Sequence, residues 1–128
     1  MNRTLWLVQA LLAVLFIATG FGKAFSSSEQ MADAMQLSTS LVRFIGICEL
    51  LGAIGLILPA ATRIQPRLTV WAAIGLATVM VLATGFHLMR REYYNVVGTV
   101  VILSIAAFVA YGRGLRCPID IRATTQEP

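Results

Sequence analysis

Four stretches of the chain carry almost no charged side chain: Leu5 to Gly22, Leu41 to Leu58, Leu68 to Met89 and Val96 to Gly112. Each runs for roughly 17–22 residues, enough at about 1.5 Å per residue to cross a hydrocarbon layer of about 30 Å once. Lipid offers the backbone no hydrogen-bond partner, so these runs are expected to be helices. The β-branched residues crowded into Val96–Ile105 do not argue for strands, because a membrane barrel needs many segments of about 10 residues with alternating polarity. The predicted fold is all-α, an integral membrane four-helix bundle. One transmembrane domain is expected over residues 1–122, with a disordered polar tail over residues 123–128. Pro59 is expected to end the second helix.

The connections are short except the first. There Gln30 stands three residues after Ser27, the spacing of a capping box, and Met31, Ala32 and Met35 form an apolar stripe opposite Glu29 and Asp33. This predicts either a short amphipathic helix on the membrane surface or an ordered loop. The first run follows Arg3 as a signal peptide would, but it continues to Lys23 without a clear small-x-small cleavage site. It is expected to be retained as a helix.

Composition says what the surface faces. Of 128 residues, 58% are hydrophobic and 12% charged, half the roughly 25% charge of a soluble domain. The net charge of +4 would admit nucleic acid, but the basic residues sit singly between apolar runs and form no patch, which excludes that partner. Arg3, Arg63, Arg67, Arg113, Arg116 and Arg122 fall on one side of the membrane, against Lys23, Arg43, Arg90 and Arg91 on the other. That bias predicts a multi-pass cell-membrane protein with both termini cytoplasmic. Cys48 and Cys117 form no C-x-x-C pair and are not expected to meet. With one histidine and no Cys/His cluster, no metal site is expected. No nucleotide loop or haem ligand pair is evident either, so no cofactor is implied.

Ionisable groups in a bilayer are costly and need a reason. Glu49 lies inside the second run, Lys23 ends the first, and His87 sits near the end of the third, followed by Arg90, Arg91, Glu92 and Asn95. All of these fall at the outer leaflet, whereas the other leaflet offers mainly Gln9. Helical spacing groups Gln9, Ala13, Phe16, Gly20 and Lys23 on one face. It does the same for Gly46, Glu49, Ala53 and Leu56, and for Met80, Thr84, His87 and Arg91. Faces bearing charge or small residues turn inward. The expected site is an outward-opening polar pocket built on a Lys23–Glu49 ion pair. Its ligand-binding candidates are Lys23, Glu49, His87, Arg91, Asn95 and Gln9, with Glu49 and His87 as candidate catalytic acid and base. The plainer reading is that Lys23 snorkels to the headgroups, Glu49 pins two helices and His87 is interfacial. Trp6, Trp71, Tyr93, Tyr94 and Tyr111 sit near run ends, where an aromatic belt accounts for them.

The order of motifs resembles a known family. The first helix ends Gly20-Phe21-Gly22-Lys23 and the second carries Ile45-Gly46-Ile47-Cys48-Glu49-Leu50-Leu51-Gly52 through to Pro59. His87-Leu88-Met89-Arg90 closes the third and Ala110-Tyr111-Gly112-Arg113 the fourth. Over nearly its whole length the chain is similar to the DoxX-like family of small bacterial membrane proteins. The resemblance implies a four-helix membrane bundle. The family's name derives from a subunit of an archaeal thiosulfate:quinone oxidoreductase. Relatives are connected with redox homeostasis at the membrane, and a distant animal branch with receptor assembly.

Three functions from different classes follow as expectations. One is an accessory or binding subunit handling a lipophilic molecule such as a quinone beside a redox-enzyme partner. Another is a small membrane enzyme doing acid–base chemistry of the isomerase or epoxide-hydrolase type with Glu49 and His87. The last is an assembly factor contacting another membrane protein through its lipid-facing surface. The bilayer is the partner common to all three, and a homo-oligomer is compatible with each.

Overall fold

The computed structural model describes residues 2–26 and 28–121. It consists of α1 (Asn2–Phe21), α2 (Ser28–Met35), α3 (Thr39–Thr62), α4 (Arg67–Met89) and α5 (Tyr93–Tyr111). Wide π-helical turns, Gly22–Ser26 and Gly112–Arg116, extend α1 and α5. With these turns, α1, α3, α4 and α5 are long and apolar enough to cross a membrane. The bundle is all-α, with no strand among the described residues. The capping-box residue Ser27 and the tail from residue 122 onward lie outside the described residues.

The helices outrun the apolar stretches, for local reasons. Ser38 caps α3, which starts at Thr39, two residues before the expected Leu41; the Ser38 hydroxyl accepts from the Leu41 N–H at 3.2 Å. Pro59 does not end α3. The helix runs on to Thr62 and stops at Arg63, whose φ of 57° is left-handed and whose N–H closes on the Pro59 carbonyl. Proline's fixed φ suits a helix. Its cost lies in a lost hydrogen bond and a steric clash, which packed membrane helices accommodate. Pro66 starts α4 for the same reason, at a position where no donor is needed. Of the two readings of the first connection, the helix is present: α2 buries Ala32 and exposes Glu29 and Asp33.

The main interfaces run α1–α3, α3–α4 and α4–α5, while α1 and α5 meet lightly. The core they enclose is built from Leu12, Ala13, Phe16, Ala53, Leu56, Ala73, Leu76, Met80, Ala106 and Val109. Much apolar surface is left outside: Leu11, Phe44, Leu51, Trp71, Leu82 and Val97 are all exposed. In water this would be an aggregation surface; here it is the lipid-facing wall. A close backbone approach joins α1 and its π-turn to α3. A Cβ built on Gly46 would stand 2.6 Å from the Ala24 nitrogen and 2.7 Å from the Gly20 carbonyl oxygen. Two glycines therefore let the backbones touch, as small residues do between membrane helices.

Candidate functional site

That backbone contact sets the position of the buried ion pair. One turn beyond Gly46, Glu49 points back at the turn that follows α1. Lys23 Nζ lies 2.7 Å from Glu49 Oε1, and Thr19 Oγ1 donates to Oε2 at 3.2 Å. The Glu49 side chain is 1% exposed and that of Lys23 20%. Both carboxylate oxygens are thus occupied by donors from α1 and its π-turn, while Lys23 has two further N–H groups to offer.

His87 sits near the C-terminus of α4 and its Nδ1 lies 2.6 Å from Glu92 Oε2. An ionised carboxylate only accepts, so the proton of this bond is on Nδ1, and Nε2 remains for another partner. Arg90 Nε donates to the other Glu92 oxygen at 2.9 Å, and Asn95 donates to Oε2 at 3.4 Å. The hydrogen bond from His87, then that from Arg90, holds the Glu92 carboxyl below the usual carboxylate range. A lowered folded-state pKa contributes stability above the unfolded value, lost as pH falls through the folded one. The contribution of the Glu92 carboxylate to thermal stability in detergent should therefore be lost as pH falls below about 4.5. Glu92→Gln should abolish that part of the acid dependence; an unchanged profile in the variant would show that the latch does not contribute.

Lys23, Glu49 and His87 line one cavity of about 420 Å³ between α3, α4 and the first connection. Its remaining wall is mainly apolar: Met35 and Leu37 from the first connection, Leu41, Val42, Phe44, Ile45 and Cys48 from α3, and Val79, Met80, Leu82, Ala83 and Phe86 from α4. Phe44 and Leu82 are 64% and 70% exposed, so the mouth opens on the lipid-facing surface. A family model of the DoxX-like family matches residues 7–109, a span holding all three polar residues of the cavity.

The chain belongs to the DoxX-like family.

Comparison with curated proteins and with solved structures finds no match. Family membership and four apolar helices make this DoxX-like chain a multi-pass membrane protein associated with the lipid bilayer. The sequence-derived candidates divide in the structure. Lys23, Glu49 and His87 come together. Asn95 is drawn off to Glu92, outside the cavity lining. Arg91 leaves the helical face it shares in sequence, because α4 ends at Met89 and Arg91 takes a left-handed φ of 58°.

Gln9 lies toward the other end of the bundle. There its Nε2 donates to the Leu56 carbonyl at 2.7 Å and its Oε1 accepts from Arg113 Nε. The expected one-sided polarity is thus corrected: a second polar cluster of Gln9, Asn2 and Arg113 occupies the opposite end. Arg113, read in sequence as a loop charge, is 3% exposed. The signal was its place on the stripe Ala106, Val109, Arg113, at spacings of three and four. Thr19 was missed as well, one turn before Lys23 on the same face.

Proposed function

We propose that this DoxX-like protein binds a lipophilic molecule with a polar head group, a quinone being the best fit, as a subunit beside a membrane redox system. The cavity carries this reading: apolar walls, a mouth on the lipid side, and polar groups from three elements converging on it. Its volume lies within the roughly 300–1,000 Å³ typical of small-molecule sites. A quinone head group presents carbonyl oxygens, and Lys23 has N–H groups to spare without releasing Glu49. The corresponding quinol presents hydroxyls, which His87 Nε2 accepts. The isoprenoid tail leaves past Phe44 and Leu82 into the bilayer. With both termini cytoplasmic, as the arginine bias supports, the head group sits at the outer leaflet.

A second reading, a small membrane enzyme, draws on one observation. His87 is oriented by Glu92 through Nδ1 as a general base commonly is, leaving Nε2 toward substrate. Glu49 suits that role less, since both its oxygens already accept from Lys23 and Thr19.

The test is titration of the detergent-solubilised protein with a decyl-tailed benzoquinone, read as a rise in Tm. Wild type should show a saturable rise. Ala83→Phe, which fills the cavity and removes no polar group, should lose it, and His87→Leu should weaken it. An equal rise in all three proteins would mean partition into the micelle or onto the lipid-facing surface, and the proposal would fail.

A further inference from the structure

The cluster at the opposite end holds a charge without a counter-charge. Arg113 Nε donates to Gln9. Its Nη1 donates to Asn2 Oδ1 at 2.6 Å and to the Cys117 carbonyl at 3.4 Å, and its plane lies over Trp6, 5.1 Å from the ring centroid. Every one of these partners is neutral. Nη2 is buried and has no hydrogen-bond partner among the described residues. No carboxylate reaches Arg113 among the described residues. A buried cation without a paired anion is expensive, and a guanidinium nitrogen with no acceptor adds to that cost.

Beside this cation lies a cavity of about 560 Å³, walled by Arg113, Arg67, Val70, Gly114, Pro118 and Asp120 among others. The chain builds it deliberately. After the π-turn of Gly112–Arg116, the segment from Pro118 folds back across the start of α4, and Arg63 Nε fixes it by donating to the Asp120 carbonyl at 2.9 Å. Arg67 is exposed on the wall and makes no hydrogen bond or ion pair with the described residues. At this end Arg3, Arg63, Arg67, Arg113 and Arg116 face Asp120 as the sole described acid. The other end is balanced, Lys23, Arg43, Arg90 and Arg91 against Glu29, Asp33, Glu49 and Glu92. Arg113 also lies beyond the span matched by the family model.

We propose that this cavity is an anion site for a phosphate group, held by Arg67 on its wall and favoured by the uncompensated charge of Arg113 beside it. Arginine's fork matches phosphate oxygens and is less strongly hydrated than lysine's ammonium, which suits a half-buried site. Both anionic lipid head groups and free phosphate carry that chemistry. Asp120 on the rim limits the affinity and gives the site a signature of its own.

The experiment is native mass spectrometry of the full chain in a neutral detergent, titrated separately with phosphatidylglycerol, phosphatidylcholine and inorganic phosphate. Phosphatidylglycerol should bind over phosphatidylcholine. Arg67→Ala should weaken it about tenfold, the effect of losing one charged hydrogen bond, and Asp120→Asn should strengthen it. If inorganic phosphate alone binds with the same dependence on Arg67 and Asp120, the source is free phosphate and the site stands. Neither probe binding above the phosphatidylcholine level, or binding indifferent to Arg67→Ala, overturns the proposal. Arg67 is exposed, so its loss leaves the fold intact and the result readable.

Discussion

Lys23→Met should destabilise the protein by about 3 kcal/mol, because it leaves a carboxylate that is 1% exposed with only the Thr19 hydroxyl for company. The magnitude follows from an asymmetry. The attraction between Lys23 and Glu49 largely offsets the cost of taking both out of water, so the intact pair adds little. Breaking it keeps the cost and discards the attraction. Glu49→Leu alone strands a lysine that is 20% exposed and reaches water or headgroups by snorkelling, so its penalty should be smaller. The double variant, Lys23→Met with Glu49→Leu, should be far milder than the sum of the two. Thermal or denaturant unfolding in detergent checks this. If the single losses add, the two residues do not act as a pair in solution.

The second large effect concerns Gly46. Gly46→Ala places a methyl group within 2.8 Å of three atoms, two of them backbone, so neither helix can yield locally. We expect a loss of about 2 kcal/mol, at the middle of the range for overpacked sites. Gly46→Leu should prevent α1 and α3 from meeting and disrupt the Lys23–Glu49 pair with them. Gly75 is the control. A Cβ there meets nothing within 4 Å, so Gly75→Ala should be neutral or stabilise by up to about 1 kcal/mol through helix propensity. Equal Tm values for the two alanine variants would show that the α1–α3 contact is looser than described.

This pair of glycines also marks what was legible in the sequence. Four runs of membrane-spanning length determine an all-α bundle, because lipid leaves the backbone no other choice. Glu49 and Lys23 were legible together for a related reason: each is unaffordable alone in an apolar helix, and three- and four-residue spacing turned both inward. Gly46 and Gly75 are indistinguishable in one dimension. Which glycine meets a backbone depends on how two helices cross, and spacing within one helix does not encode it. Arg113 escaped for another reason. A basic residue just past an apolar run reads as a headgroup contact, and only the π-turn at Gly112–Arg116 draws it inward beside Gln9. Pro59 misled because a rule drawn from soluble helices was applied where a packed membrane helix runs on through a proline. Arg91 misled because the helical face was continued past the end of the helix.

Arg90 has one more role. Its Nη1 and Nη2 donate to the carbonyls of Met35 and Ala34, at 2.7 and 3.1 Å. These are carbonyls of the last turn of α2, which no helical N–H reaches. The same side chain holds Glu92, which holds His87. A surface helix and a turn some fifty residues later in the chain are thereby fastened by one guanidinium. Met35 lines the cavity on one side of that fastening and His87 on the other. Widening the cavity between them would strain the Arg90 hydrogen bonds, so under the proposed function the dwell time of a ligand would be set at the rim as well as by the groups that hold its head.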